Sequence, residues 1–286
     1  MKIFVAGGTG VLGRRVVTGL LEAGHAVTVL ARTPSRIDPA FVQHVDVVAG
    51  DALDAERVRA ALAEHQPDLL MNQLTDLAAG SRAANAHLRI HATRNLVDAA
   101  LAVGTERIVI QSIAWCYEPG DIPAGEAVAL DLASLDPTRR ETVDAVTAME
   151  RCAAELEHCV VLRNGTLYGP DTWYAPTGLM ADSARAGGIA PGPDVTSFVQ
   201  IDDAAAAAVA AVGWPSGAVN VVDDEPAAAS VWLPEFCAAV GAPSPALGVD
   251  AEAQPWARGA LNGLARSRGW TPRFASWRQG FAQGLG

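Results

Sequence analysis

Lysine is almost absent from this sequence, and tyrosine is scarce. Of the 21 Lys and Arg residues only Lys2 is a lysine, and the only tyrosines are Tyr117, Tyr168 and Tyr174. Arginine keeps its charge at physiological pH, so it does not replace lysine or tyrosine as a group with a tunable pKa. Any mechanism that needs a lysine in the middle of the chain is therefore excluded.

Cysteine is also sparse and carries no recognisable spacing. The four cysteines are Cys116, Cys152, Cys159 and Cys237. They form no C-x-x-C pair, so we expect reduced, mostly buried thiols. His87 and His91 are four residues apart on a predicted helix, but no third ligand pattern accompanies them. No metal is predicted.

Long apolar runs and basic stripes are missing as well. The chain has no apolar run of about 18 residues, and MKIFVAGG enters a strand without a cleavable apolar region. The net charge is −11, which repels the phosphate backbone of nucleic acids. We therefore predict a cytoplasmic protein with neither a membrane nor a nucleic acid as partner.

Short apolar runs alternate with helical patterns through the first two thirds of the chain. The predicted strands are KIFVAGG, HAVTVLA, VDVVAGD, PDLLMNQ, ERIVIQS, CVVLRNG and GAVNVV. The predicted helices are GVLGRRVVTGLLEAG and segments near 54–64, 82–103 and 138–157. This alternation predicts an α/β fold with a doubly wound parallel sheet.

The regular alternation ends after residue 168. Residues 169–198 are rich in Gly and Pro and also carry aromatic side chains, which favours irregular structure over a ligand cleft. We predict a Rossmann core of residues 1–168 and 199–222. A smaller substrate-binding lobe is expected from residues 169–198 and 223–286.

A glycine pattern follows the first strand and opens the first helix. Gly7, Gly10 and Gly13 form G-x-x-G-x-x-G within VAGGTGVLGRRV. Glycine permits a tight turn and lets peptide N–H groups approach a pyrophosphate at the helix N-terminus. The pattern predicts a dinucleotide site, with Thr9, Val11 and Leu12 completing the turn.

The end of the second strand indicates which dinucleotide is bound. An acidic residue there would favour NAD, whereas arginine accommodates the 2′-phosphate of NADP. The sequence VTVLARTPSR has no acid and offers Arg32 and Arg36. Arginine pairs with phosphate through two parallel hydrogen bonds, so we predict NADP(H) as the cofactor.

Motifs along most of the chain resemble the extended short-chain dehydrogenase/reductase family, also called the NAD-dependent epimerase/dehydratase family. They are GGTGVLG, GDALD at 50–54, NLVDAA at 95–100, IQSIAWCYEPG at 110–120, LRNGTLYGP at 162–170, FVQIDDAA at 198–205, NVVDDEP at 220–226 and RGWTP at 268–272. The resemblance implies further cofactor contacts: Asp51 and Ala52 at the adenine, Gln73, Leu74 and Thr75 at the ribose and pyrophosphate, and Asn164 and Thr166 at the nicotinamide.

The resemblance stops at the catalytic helix. Active members use a Ser or Thr after the fifth strand and a Tyr-x-x-x-Lys pair on the next helix, where the lysine lowers the pKa of the proton-exchanging tyrosine. Here that pair falls on Thr142 and Val146, or on Val143 and Thr147. Neither register contains the pair.

Other hydroxyl groups are candidates for the proton source. The serine slot holds Ile113, with Ser112 one residue earlier. We take Ser112, Tyr117 and Thr166 as candidate catalytic residues, with Ser112 also beside the cofactor, and Tyr174 as a further hydroxyl. Water or the substrate itself is the alternative proton source, because hydride transfer chiefly needs proximity and angle.

The expected function is reduction of a carbonyl on a bulky aromatic small molecule by NADPH, as in the angucyclinone ketoreductases of aromatic polyketide pathways, which the chain resembles in lacking the usual pair. The candidate substrate contacts are Trp115, Trp173, Tyr174, Leu179, Met180 and Phe198; burial in the core is the alternative for these aromatics. A sensor that binds NADP(H) without turnover and a non-redox dehydratase or isomerase stay open. We expect a monomer, or a homodimer formed through the 82–103 and 138–157 helices.

Overall fold

The computed structural model describes residues 1–76, 81–245 and 252–286. Parts of two predictions therefore lie outside the described residues: 77–80 of the predicted Rossmann core and 246–251 of the predicted substrate lobe.

The strands match the predicted apolar runs closely. In chain order they are β1 (Lys2–Ala6), β2 (Ala26–Ala31), β3 (Val45–Ala49), β4 (Leu69–Asn72), β5 (Arg107–Ile113), β6 (His158–Asn164), β7 (Thr166–Tyr168), β8 (Val195–Thr196), β9 (Phe198–Gln200), β10 (Gly217–Val221) and β11 (Ala227–Ala228). The short strands β7 and β9 pair in parallel, and β8 pairs with β11 in the antiparallel sense.

Seven of these strands form one sheet in the order β10-β6-β5-β4-β1-β2-β3. The pairs β1–β2, β1–β4, β2–β3 and β4–β5 are parallel, with Ile3 level with Val27 on one side and with Leu69 on the other. The strand order runs outward in both directions from β1 and β4, which is the doubly wound arrangement. The predicted α/β fold class is confirmed.

The helices fall between the strands as expected. They are α1 (Val11–Glu22), α2 (Ala55–His65), α3 (Arg82–His87), α4 (Thr93–Ala102), α5 (Pro137–Ala153), α6 (Leu179–Arg185), α7 (Ile201–Ala210), α8 (Ala229–Ala239), α9 (Gly263–Ser267) and α10 (Trp277–Gln283). The helix predicted at 82–103 is divided, because a π-helical turn at Leu88–Ala92 separates α3 from α4.

Side-chain caps fix where two of the long helices begin. The Asp54 carboxylate accepts a hydrogen bond from the Arg57 N–H at 3.0 Å, at the start of α2. The Asp136 carboxylate accepts from the Thr138 N–H at 2.8 Å, at the start of α5, where Pro137 occupies the first position. An aspartate cap followed by proline is a strong helix-start signal.

The described residues divide into two compact units. The first contains Met1–Ser112, Leu132–Leu162 and Ala208–Ala218, and the second contains Ile113–Asp131, Arg163–Ala207 and Val219–Gly286. In the first unit, Phe4 and Leu70 from the sheet pack with Leu96 of α4 in one buried cluster. The division of the chain into a cofactor core and a substrate lobe stays a prediction.

The second unit is built on a group of buried aromatic rings that we call the aromatic cluster. Its rings are Tyr168, Tyr174, Phe198, Trp232, Phe236, Trp277 and Phe281. Phe198 lies at its centre, edge-on to Tyr174 at 5.5 Å, to Trp232 at 5.3 Å and to Phe281 at 5.3 Å between ring centroids. Edge-to-face pairs of this kind add to the stabilisation from burial alone.

Two features of residues 169–198 correct the sequence-based expectation. The segment is not wholly irregular, because Leu179 and Met180 begin helix α6. Phe198 is fully buried and Tyr174 is 8% exposed, so both rings belong to the aromatic cluster rather than to a substrate surface. The burial arises because α8 and α10, far along the chain, supply the rings that surround them.

Removal of the Phe198 ring tests this assignment. We expect Phe198→Ala to lower the free energy of unfolding by about 3–5 kcal/mol, since it leaves a cavity among rings that have nowhere to collapse. Leu135, which is 98% exposed, provides the matched control, and Leu135→Ala should change stability by less than about 0.5 kcal/mol. Urea unfolding measures both, and equal stabilities of the two variants would contradict the core assignment.

Candidate functional site

The turn between β1 and α1 is closed so tightly that side chains are excluded. Gly7 has φ +88°, and a Cβ on it would lie 2.6 Å from the carbonyl carbon of Gln73. A Cβ on Gly13 would lie 2.0 Å from the carbonyl oxygen of Gly7. Both positions therefore require glycine, one for its backbone angle and both for space.

The N-terminus of α1 presents unsatisfied peptide donors. Gly10 is its N-cap, and no side chain accepts from the first-turn N–H groups. Val11 is 37% exposed, whereas Leu12 is buried and so contributes only its backbone to this surface. An uncapped helix start behind a glycine turn suits a phosphate group, because the open N–H groups and the helix dipole both favour negative charge.

The Gln73 side chain gives a second, independent indication of a ligand. It is 4% exposed, and neither its Oε1 nor its Nε2 has a hydrogen-bond partner among the described residues. Its neighbours in the turn are satisfied: the Asn72 Oδ1 accepts from the Leu74 N–H at 3.1 Å. A buried amide without partners is costly, so the residues present fit a polar group such as a nucleotide at this turn.

The ends of β2 and β3 carry the residues predicted to distinguish the cofactors. The Gly50 N–H donates to the Ala31 carbonyl at 3.1 Å, which sets the two strand ends side by side. Arg32 and Arg36 follow β2 and are exposed. Asp51 follows β3, and its Oδ1 accepts from the Leu53 N–H at 3.0 Å, which holds the turn that contains the buried Ala52.

Helix α5 presents buried, non-ionisable side chains at the positions where the resemblance implies a Tyr and Lys pair. Val143 and Val146 are fully buried, and Thr142 and Thr147 are 9% and 7% exposed. The Thr142 hydroxyl donates to the Thr138 carbonyl within the helix at 3.4 Å. These four positions therefore pack into the first unit and carry no ionisable side chain.

Ser112 is buried, and its hydroxyl is bonded within the first unit. Its side chain is 1% exposed and donates to the Glu150 Oε1 at 2.6 Å. The hydroxyl proton is therefore committed to a carboxylate on α5, which corrects the expectation that Ser112 supplies a proton to a substrate. Sequence reasoning missed Glu150, because no motif relates a helix carboxylate to a serine 38 residues earlier.

Tyr117, like Ser112, is buried and hydrogen-bonded to another side chain. It is 1% exposed, and its hydroxyl donates to the Asn220 Oδ1 at 2.5 Å. The Asn220 amide in turn donates to the Ala124 and Leu261 carbonyls, both at 3.1 Å. Burial raises the pKa of Tyr117 above its ordinary value. Because the Tyr117 hydroxyl is buried and already donates to Asn220, the expectation that it supplies a proton to a substrate is corrected.

Asn164 and Thr166 stay candidates for the nicotinamide end of a cofactor. The Asn164 backbone carbonyl accepts a hydrogen bond from the Ala114 N–H at 2.9 Å. The Asn164 side chain is 4% exposed, and its Oδ1 has no partner among the described residues. Thr166 is half-buried at the start of β7, and its N–H donates to the Ser197 carbonyl at 2.8 Å.

The remaining predicted substrate contacts fall into two groups. Trp115, Trp173 and Leu179 are 41%, 43% and 60% exposed, so their apolar surfaces are open to a ligand. Met180 is half-buried and packs against the aromatic cluster, so it is assigned to the core with Tyr174 and Phe198.

A buried carboxyl group also escaped the sequence reasoning. Asp223 is 1% exposed, and its Oδ1 accepts from the Glu225 N–H at 3.1 Å, whereas its Oδ2 has no partner among the described residues. Burial raises its pKa to about 8. The motif NVVDDEP contains this residue, but the pattern gives no sign of which of its acids is buried.

The described residues contain neither a cluster placed to bind a metal ion nor a helix able to span a membrane. Within residues 1–76, 81–245 and 252–286 no group of three or more His, Cys, Asp or Glu side chains is placed to hold a metal ion. In those same ranges no helix combines the length and the apolar character needed to cross a bilayer.

The glycine turn, the uncapped helix and the parallel sheet define a nucleotide-binding α/β protein, and comparison gives the family. The NAD dependent epimerase/dehydratase family matches residues 3–221, and the chain belongs to it. A full-length relative is the 3-diazoavenalumate denitrifying reductase of a Streptomyces species. It is 40% identical over 308 residues, with 99% of this chain and 100% of the relative covered.

Solved structures of the same fold are more distant in sequence. The UDP-Glc/GlcNAc 4-epimerase of Campylobacter jejuni superposes with a TM-score of 0.80 at 17% identity, covering 99% of this chain and 98% of that one. The Bordetella bronchiseptica enzyme WbmG, in complex with NAD, superposes with a TM-score of 0.79 at 21% identity, covering 100% and 93%. At these identities the similarity establishes the fold alone.

The space at Gly13 provides a direct test of the nucleotide turn. We expect Gly13→Ala to weaken nucleotide binding at least about tenfold, or ~1.4 kcal/mol, because the new methyl group pushes the turn apart. The control is Gly213→Ala, where an added Cβ meets nothing within 4 Å. Titration of NADPH fluorescence measures the affinity, and a folded Gly13→Ala protein with unchanged affinity would refute the assignment.

Proposed function

We propose that this protein is an NADPH-dependent reductase that replaces the diazonium group of a small carboxylate by hydrogen and releases N2. Two findings support the proposal. One is the 40% identity, over the full length of both chains, to a relative named for denitrifying reduction of 3-diazoavenalumate. The other is the α5 face, whose side chains at the Tyr and Lys positions are buried and non-ionisable.

The main support for the proposal is that α5 has no tyrosine and lysine at these positions, because the proposed reaction consumes no proton. Reduction of a ketone adds a hydride to carbon and a proton to oxygen, so it needs an acid. Displacement of N2 from a carbon that bears it as a diazonium adds a hydride to that carbon, breaks the C–N bond and sends the bonding pair out with N2. No proton is consumed, so an enzyme for this reaction does not need the tyrosine and lysine.

The residues of this chain would bind and orient the reactants. A bound reduced nucleotide supplies the hydride. The peptide N–H groups of Val11 and Leu12 would hold its pyrophosphate, together with Thr9 and the turn that contains Gly7, Gly10 and Gly13, where the Gly10 N–H closes the turn onto the Gly7 carbonyl. Asp51 and Ala52 would bind the adenine, Gln73, Leu74 and Thr75 the ribose and pyrophosphate, and Asn164 and Thr166 the nicotinamide. With the hydride donor fixed, rate comes from proximity and orientation rather than from acid catalysis.

NADPH is preferred over NADH in this proposal because of charge. Arg32 and Arg36 follow β2 as exposed cations, and no acid stands at the end of that strand to repel a 2′-phosphate. Guanidinium groups bind phosphate bidentately.

A second candidate is reduction of an aromatic ketone, and the exposed indoles of Trp115 and Trp173 favour it. Flat polycyclic ketones stack well on tryptophan. This reaction would need water or an acidic hydroxyl of the substrate for its proton, because Ser112 and Tyr117 are committed elsewhere.

Deuterium labelling separates these functions. With NADPH deuterated at C4 and 4-carboxybenzenediazonium as substrate, we expect benzoate labelled at the carbon that lost N2, with one N2 released per NADPH oxidised and a rate well above that without enzyme. Label in the carbinol carbon of a polycyclic ketone, with no reaction of the diazonium, would establish the second candidate instead. Nucleotide binding without turnover, or substrate conversion without NADPH oxidation, would overturn both reductase assignments.

The cofactor preference is tested at Arg32. We expect Arg32→Ala to weaken NADPH binding about tenfold or more, the loss of a charge-assisted hydrogen bond, and to leave NADH binding unchanged. Arg59→Ala is the control, because Arg59 is 58% exposed and pairs with Glu56 on α2. Equal affinity of the unaltered protein for NADPH and NADH would contradict the preference.

A further inference from the structure

Two segments of the second unit that are distant in sequence are held side by side by backbone hydrogen bonds. The Gly120 N–H donates to the Pro255 carbonyl at 3.0 Å. The Ala124 N–H donates to the Gly259 carbonyl, and the Leu261 N–H donates to the Ala124 carbonyl, both at 2.9 Å. This pairing fixes residues 115–124 against residues 254–261, so side chains on the two segments have a defined relation.

A pair of tryptophans lies on these two segments. The ring centroids of Trp115 and Trp256 are 5.9 Å apart, with the ring planes inclined at 45°. Trp115 is 41% exposed and Trp256 is half-buried. Trp115 follows the carboxyl end of β5 by two residues, and ligands of parallel α/β sheets bind beyond the carboxyl ends of the strands.

Arg258 adds a positive charge to the same pair of segments. Its Nε donates to the Ile122 carbonyl at 2.5 Å, and its Nη1 donates to the Glu118 carbonyl at 3.1 Å and to the Pro119 carbonyl at 3.3 Å. These acceptors are neutral. Within the described ranges Arg258 makes no ion pair, so the carbonyls orient the guanidinium without neutralising it.

We propose that Trp115, Trp256 and Arg258 form a subsite for a planar aromatic carboxylate. The indole rings would stack on the aromatic ring, and the guanidinium would bind the carboxylate. Stacking and a charge-assisted hydrogen bond are the interactions that these side chains make most strongly. The inference rests on the proposed function, and it deepens that function by naming the residues that recognise the end of the substrate remote from the diazonium group.

Backbone anchoring explains why arginine suits position 258. Gly120 leaves room for the guanidinium, since a Cβ there would lie 2.1 Å from Nη1. Three of its five donors hold the 118–122 loop, and the remainder can face a ligand without a change of rotamer. A preformed cation of this kind loses little side-chain entropy on binding.

Calorimetric titration with trans-cinnamate tests the subsite independently of turnover. Cinnamyl alcohol, which lacks the carboxylate, and 3-cyclohexylpropenoate, which lacks the aromatic ring, are the matched ligands. We expect cinnamate to bind at least about tenfold more tightly than either. Trp256→Leu should remove the preference for the aromatic ring and Trp256→Phe should keep part of it. Arg258→Gln should remove the preference for the carboxylate, whereas Arg258→Lys should retain part of it.

The control variant is Leu135→Ala, whose ligand affinities should equal those of the unaltered protein. The subsite would be overturned if the unaltered protein did not prefer cinnamate. It would also be overturned if all four variants, Trp256→Leu, Trp256→Phe, Arg258→Gln and Arg258→Lys, kept that preference in full. If diazonium turnover is absent while the variants lose cinnamate as expected, the proposed function fails and the subsite stands. If turnover is present and its KM is unchanged in Trp256→Leu, the subsite alone fails.

Discussion

The contact between Gly13 and the carbonyl of Gly7 is the constraint on which the cofactor site depends. A side chain at Gly13 would occupy the space of that oxygen, so α1 approaches the end of β1 only because the residue is glycine. The same approach leaves the first peptide N–H groups of α1 without a side-chain cap. A glycine turn that lets the backbone approach closely, followed by unsatisfied peptide donors, is what a pyrophosphate requires.

Helix α5 lacks the tyrosine and lysine that the resemblance implies for it. The family surface that carries an ionisable pair is here a packing surface of valine and threonine. The buried Val143 and Val146 side chains of this helix stabilise the first unit without a partner charge. In the proposed function such a helix suits a reaction whose proton balance is zero or is met by solvent or substrate. Loss of N2 satisfies that restriction, because the leaving group departs as a neutral gas.

The sheet and the glycine turn were predictable because their signals are local: apolar runs of strand length and glycines at fixed spacing. Contacts between distant residues were not. Tyr174 and Phe198 were expected at a substrate surface, yet rings of α8 and α10 enclose them. The Tyr117 hydroxyl was a candidate acid, but it bonds Asn220, 103 residues further on. No periodicity in the sequence encodes such a pairing, and the same holds for Arg258 and the 118–122 loop.

Proton uptake during turnover distinguishes displacement of N2 by hydride from reduction of a ketone. With 4-carboxybenzenediazonium, NADPH and a pH indicator in weakly buffered solution, the stoichiometry of protons consumed per NADPH oxidised can be read against a ketone reductase as reference. We expect no proton uptake in the diazonium reaction, compared with one proton per NADPH for the ketone. One proton consumed per NADPH oxidised would show the proton balance of a ketone reduction, which rules out displacement of N2 from a diazonium by hydride alone.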